Sequence, residues 1–313
     1  MPQSTLTQSQ IDALKTTLRA RWNAGLAAAP NDWQRIAKKI SSGSKSNTYA
    51  WLSQFPAFRE WVGARNHKVM KEHAYMVVNR KFETTVDVPR EDIEDDNIGQ
   101  YGTLAESAGH ANIDLMNDLV FQALAGGWAN TCYDGQYFFD TDHPVYPNED
   151  GSGTAATVSN LQAGTGAAWA LLCTKRAASP LYLQERVAPE FTAKTSAANS
   201  DGVFENDTYS FGARWRGEAA YGFWQCAYGS RAALNDDNFN AAVAAMMKFV
   251  GDGNRKLGIV PDLLVVGPDL RAAAKSLLEA QVKANGASNT NYHAVDLLVT
   301  PWFDIPAIPE SGN

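Results

Sequence analysis

Between Thr131 and Asn148 the chain reads TCYDGQYFFDTDHPVYPN, a stretch that holds one thiol (Cys132), three carboxylates (Asp134, Asp140 and Asp142) and one imidazole (His143). Thiols and imidazoles ligate zinc, and a thiol, an imidazole and a carboxylate also make a nucleophile, its base and the base's orienter. Zinc needs further convergent ligands, whereas Cys173, Cys226 and the remaining histidines stand singly in unrelated segments, so the ligand count argues against a metal centre. A hydrolase using Cys132, Asp142 and His143 stays open as the second reading, although neither Cys132 nor His143 sits in a recognisable nucleophile turn. The first reading is architecture. Asp134-Gly135 has the composition of a type I′ turn, Asp142 is placed to bond backbone amides ahead of His143-Pro144, and QYFF makes a short apolar strand between the turns.

Other motifs give less. GDGNRKLG is glycine-rich and basic but lacks the order of a phosphate loop and follows a helix rather than a strand. In HKVMKEH, His67 and His73 are too far apart to share one helical face. The acidic run DVPREDIEDDN lacks the alternate-ligand spacing of a calcium loop and reads as a solvated or partner-facing helix start. No cofactor is implied and no catalytic constellation is assembled, which points toward a protein that associates.

The 313 residues carry a net charge of −7 that is unevenly spread. Residues 1–71 hold eleven Lys or Arg against Asp12, Asp32 and Glu60, a balance of +8, which leaves −15 for the remainder. A basic arm before an acidic body can touch nucleic acid or lie on the acidic surface of another copy, and the acidity of the body disfavours a sequence-reading nucleic-acid protein. No window approaches eighteen consecutive apolar residues and no basic start precedes an apolar run, so the expectation is a cytoplasmic protein with no membrane segment. Three cysteines at wide spacing, Cys132, Cys173 and Cys226, are expected to be reduced and buried.

Periodicity supplies the elements. Ile11, Leu14, Leu18, Trp22 and Leu26 recur three or four apart and predict an amphipathic helix stopped by Pro30; Asn31 or Asp32 caps a second short helix at WQRIAKKI. Trp51, Phe55, Phe58 and Trp61 form an aromatic group that must be buried, against this chain or a partner subunit. Phe82, Thr84, Val86 and Val88 alternate with polar residues, and an Asn79-Arg80 turn makes residues 73–89 a β-hairpin that projects from the body. Leu104, Ala108, Ala111, Leu115, Leu119 and Ala123 share a stripe on a long helix ended by Gly126-Gly127. Beyond residue 150 strands and helices mix without a βαβ rhythm, so the class is α+β.

Several segments together, in order from about residue 11 to residue 303, resemble the major head subunit of Mu-type tailed bacteriophages and Mu-like prophages: SNTYAWLSQFPAFREWVG, FETTVDVPREDIEDDNIGQYG, CYDGQYFFDTDHPVYPNEDGSGTAATVSNL, PLYLQER, GFWQCAYGS and GDGNRKLGIVPDLLVVGPDLRAAAKSLL. The resemblance implies the HK97-type capsid fold: an N-terminal arm over residues 1–66, an E-loop hairpin and acidic connector over 67–98, a P-domain over 99–250 with a spine helix near 100–126, and a mainly A-domain segment over 251–313 that returns toward the P-domain. It implies a non-enzymatic shell protein that forms hexamers and pentamers of an icosahedral virion around double-stranded DNA and is assembled in the bacterial cytoplasm. The implied partners are its own copies, a separate scaffolding protein, a portal, a maturation protease and a decoration protein. Trp51, Phe55, Phe58, Trp61, Phe82, Asp92, Asp95 and Asp96 are then candidate assembly contacts, the basic arm lying on the acidic region of neighbours, while Asp134, Gly135, Asp142, His143 and Pro144 are a structural turn.

Overall fold

The computed structural model describes residues 7–49, 75–94, 99–195, 206–283 and 285–305. Helix α1 (Gln8–Ala28) begins at a capping box, in which Thr7 Oγ1 accepts from the Gln10 amide and Gln10 Oε1 accepts from the Thr7 amide at 2.9 Å. It buries Ile11, Leu14, Leu18 and Trp22 as the spacing predicts, and Gly25 joins them while Leu26 is only half-buried. The segment after Pro30 departs from expectation. Asp32–Arg35 is one 3-10 turn, and the rest of WQRIAKKI becomes strand β1 (Ala37–Ser41), drawn out by parallel pairing with β9 (Leu181–Lys194).

The expected hairpin at residues 73–89 is also corrected. Strand β2 (Ser46–Thr48) pairs antiparallel with β3 (Met76–Val78), whereas β4 (Arg80–Pro89) pairs along its length with β10 (Thr208–Tyr221). Asn79 is therefore a junction between two sheets rather than half of a turn. The main sheet has the order β1-β9-β10-β4, with Phe82 opposite Trp215 and Val86 opposite Phe211. β4 is the edge strand of this sheet, and Phe82, Thr84, Val86 and Val88 alternate on its inner face.

Helix α2 (Arg90–Glu94) leads to the long α3 (Gly99–Ala125). Its buried face only partly follows the aliphatic stripe: Tyr101, Ala105, Gly109, Ile113, Met116, Leu119, Val120, Phe121 and Leu124 are buried and Leu115 and Ala123 are half-buried against the core, while Leu104 is 49% exposed. The cause is close approach of α1. A Cβ on Gly25 would lie 1.9 Å from the Glu106 carbonyl oxygen, and one on Gly109 would lie 2.1 Å from that of Trp22, so the helices touch backbone to backbone. Only glycine fits at that crossing.

A second sheet has the order β15-β14-β8-β11-β7, made of β7 (Leu161–Gln162), β8 (Trp169–Leu172), β11 (Ala227–Ser230), β14 (Leu263–Val266) and β15 (Asp296–Val299). β8 and β14 are buried at every position, consistent with continuous apolar runs in a covered sheet. Helix α4 (Asp236–Met247), capped by Asn235, and helix α5 (Arg271–Leu278) belong to this half. The mixture of antiparallel and parallel pairing with separate helices is α+β. No helix among the described residues is long and apolar enough to cross a membrane.

Candidate functional site

The stretch that could do chemistry folds directly after α3. A 3-10 turn at Gly126–Trp128 ends the helix, and the chain comes back so that the Phe139 amide donates to the Gly127 carbonyl at 2.9 Å. Phe138 and Phe139 are fully buried there outside any strand, the Phe138 amide donating to the Asn130 carbonyl at 3.1 Å beside an isolated bridge from Thr131 to Tyr137. The Asp134-Gly135 pair is not a type I′ turn. Gly135 alone takes a positive φ of 89°, and the Cys132 amide donates to the Gln136 carbonyl at 2.8 Å across a three-residue loop, which places the left-handed residue at the loop's end.

Asp134 is the centre of the cluster. Its Oδ1 accepts from the Gln136 amide and from the Cys132 thiol, both at 3.1 Å, and its Oδ2 lies 2.7 Å from His143 Nδ1. His143 is fully buried at the start of strand β5 (His143–Val145), stacked on Trp224 at 4.0 Å between ring centroids. Its other nitrogen, Nε2, lies 3.2 Å from Asn160 Oδ1. The Asn160 amide cannot be turned over, because its Nδ2 donates to the carbonyls of Phe138, Trp224 and Ala227 while Oδ1 also accepts from the Asp140 amide. Both imidazole nitrogens thus face oxygen atoms. The cluster of Asp134, His143 and Asn160 ties three loops together.

This arrangement defeats the hydrolase reading on its own geometry. Burial, followed by the adjacent Asp134 charge, pushes the Cys132 thiol far above its ordinary range, so the nucleophilic thiolate is suppressed. Asp142 is exposed and orients nothing; Asp140, not Asp142, takes the backbone amides of Tyr137 and Thr141, at 3.0 and 2.7 Å. Asp142 instead faces Asp140. Its carboxyl is raised, first by that side-chain hydrogen bond, then by burial and the like charge. Asp140 is lowered, because the bonds from Thr141, Tyr137 and Asp142 together outweigh a burial effect in the opposite direction. Cys132, Asp134 and His143 bring one ligating atom each within 4.8 Å of one another, but those atoms already hydrogen-bond within the cluster. Pro144, the last of the turn residues, lies in β5 opposite Thr157 of β6 (Ala156–Val158).

The candidate assembly residues scatter. Phe82 packs inside its own subunit, 5.6 Å from Trp215 with the Arg80 guanidinium over its face, and Asp92 accepts from the Tyr101 hydroxyl. Trp51, Phe55, Phe58, Trp61, Asp95 and Asp96 lie outside the described residues. Helix α1 of the basic arm packs on its own subunit: Arg21 pairs with Glu106 of α3 at 3.4 Å, and Arg19 Nη2 donates to the Phe191 carbonyl. Sequence reasoning missed the apolar side chains left on the surface, Met76 and Val78 on β3, Leu104 on α3 and Met247 at the end of α4. Leu104 was legible as apolar, and only the α1 contact shows that it faces outward.

The protein-family model described as the Mu-like prophage major head subunit gpT matches residues 11–303. The chain belongs to this family. The major capsid protein of Escherichia phage Mu is 41% identical over 304 residues, which are 95% of this chain and 99% of that protein. A chain of the procapsid of bacteriophage JBD30 superposes with a TM-score of 0.85 at 48% identity, covering 95% of this chain and 100% of the other. A chain of the JBD30 capsid decorated with minor capsid protein trimers gives a TM-score of 0.72 at 36% identity, covering 90% and 93%. The head subunit has the HK97-type phage capsid fold and is a structural component of a Mu-like phage virion, not an enzyme.

Proposed function

We propose that the head subunit assembles into hexamers and pentamers of an icosahedral shell that encloses double-stranded DNA without reading its sequence. The observation that carries this reading is the likeness to a procapsid chain along nearly the whole length, at TM-score 0.85. The balance of −15 outside residues 1–71 supports a shell that does not grip its contents. The four-stranded sheet with α3 is assigned as the P-domain, and the five-stranded sheet with α4 and α5 as the A-domain. The E-loop is proposed at the β2–β3 ribbon rather than at residues 73–89. Trp51, Phe55, Phe58, Trp61, Asp95 and Asp96 remain proposed subunit contacts. A scaffolding protein, a portal and a maturation protease are the proposed assembly partners in the host cytoplasm, and the decorated JBD30 capsid supports a decoration protein on the outer surface.

The test is cryo-electron microscopy of the purified, untagged protein, concentrated over a range of salt and repeated after co-expression with the neighbouring phage genes. Closed shells or capsomer rings are expected. Monomers alone under both conditions overturn the reading.

A further inference from the structure

The β2–β3 ribbon is rooted in the body by polar groups. Gln184 of β9 is fully buried beneath it; its Oε1 accepts from the Tyr49 hydroxyl, and its Nε2 donates to Asn79 Oδ1 at 2.7 Å and to the Val77 carbonyl at 3.4 Å. Asn79, which follows β3, in turn donates through Nδ2 to Ser42 Oγ and the Ser44 carbonyl, both at 2.9 Å, and to the Lys45 carbonyl at 3.3 Å. Ser42, which precedes β2, is pinned to β9 by its amide, 2.9 Å from the Glu185 carbonyl. Both ends of the ribbon therefore meet at one amide side chain of the main sheet. On the ribbon itself Val77 is buried, while Met76 and Val78 are 59% and 44% exposed.

An apolar root of similar volume would hold the ribbon about as firmly, since buried polar pairs replaced together by apolar groups lose little stability. It would not hold it at one angle. Hydrogen bonds weaken steeply away from linear geometry, and a network in which each member is satisfied has few equivalent arrangements. We propose that Gln184, with Asn79, Ser42 and Tyr49, is the positioning centre that sets the angle of the β2–β3 ribbon to the main sheet, and through it selects the size of the shell. The second half of that statement rests on the assembly reading above; the first half does not.

The experiment has two arms. Spin labels at Val78→Cys on the ribbon and Ala188→Cys on β9 report the ribbon angle in the unassembled subunit, the three native thiols being buried. Electron microscopy of shells made without labels reports diameter. Gln184→Met keeps the volume and removes the bonds; Tyr49→Phe, which deletes one hydroxyl, is the gentler variant if the first fails to fold. The expected result is a label-to-label distance distribution about twofold broader than in the parent, as for a network losing its central member, with shells of mixed diameter and a lowered melting temperature, because the Asn79 side-chain carbonyl and the Tyr49 hydroxyl each lose a buried partner. Thr192→Val, on the same strand but outside the network, should leave all three unchanged. Unaltered distances in both variants overturn the positioning role, whether or not any shells form. Broadened distances with shells of parental diameter overturn the link to shell size. If the parent chain forms no shells, the assembly reading falls and the distance arm alone decides the positioning role.

Discussion

Helix α3 lends its two ends to two different cores. Its first turns, at Tyr101 and Ala105, join Ile11, Leu14 and Leu18 of α1 with Val88, Ile93, Tyr209 and Phe211 in a small cluster. Its later turns, from Ile113 to Leu124, enter the large cluster that continues through Phe138, Trp169, Trp224 and Phe239. The small core depends on helices in backbone contact and borders a void of about 10 Å³ lined by Leu18, Trp22, Val86, Phe191 and Phe211. In the large core the Asp134, His143 and Asn160 groups are paired with one another and with backbone. Few and exacting contacts make a region that opens locally; many and redundant ones make a region that opens only with the whole fold.

The largest effect that separates the two regions is expected from His143→Ala, which removes a fully buried ring stacked on Trp224 together with one partner of Asp134 and should cost about 3–5 kcal/mol. Chemical denaturation of the isolated subunit checks it, and the loss should appear in the global transition. Gly109→Ala comes next, at about 1–3 kcal/mol of overpacking. Hydrogen exchange should show faster opening in α1 with protection of β8 and β14 retained; a global loss in that variant would erase the distinction between the cores. Arg21→Gln removes an ion pair whose side chains are 60% and 44% exposed, so less than about 1 kcal/mol is expected, fading further with salt.

The smallest effect depends on pH. The Asp142 carboxyl is raised in the folded chain, so its ionisation weighs against folding: the penalty is absent below the ordinary aspartate range and complete once pH exceeds the folded value. Asp142→Asn should therefore raise the melting temperature slightly at neutral pH and leave it unchanged in acid. A melting scan at both values checks the sign.

What the sequence discloses follows the reach of the interactions. Helix α1 was legible because the Ile11 to Leu26 periodicity and the stop at Pro30 act within a few positions, whereas its capping box at Thr7 and Gln10 emerged only from the structure. The pairing of β4 with β10 was not, since a run that alternates at Phe82, Val86 and Val88 fits a hairpin as well as a sheet strand, and its partner lies far along the chain. The inward face of α3 was misread at its first turns, where hydropathy favours Leu104 and contact with α1 selects Gly109, whose lack of a side chain is what permits the approach, while Leu119 is buried as expected. In the turn stretch, the architectural role of Asp134 was visible, but its pairing with His143 and the fixing of that imidazole by Asn160 depend on a loop brought back from beyond β6.

Because α3 is common to both cores, it also acts as a lever arm. From Leu124 to Tyr101 the helix spans about 35 Å, so a tilt of roughly 5° at the end held in the large core moves the far end by about 3 Å. Small repacking around Leu124 is thereby converted into a displacement nearly one residue wide beside Leu104. Tolerances that are harmless inside the large core become positional errors where α3 meets solvent.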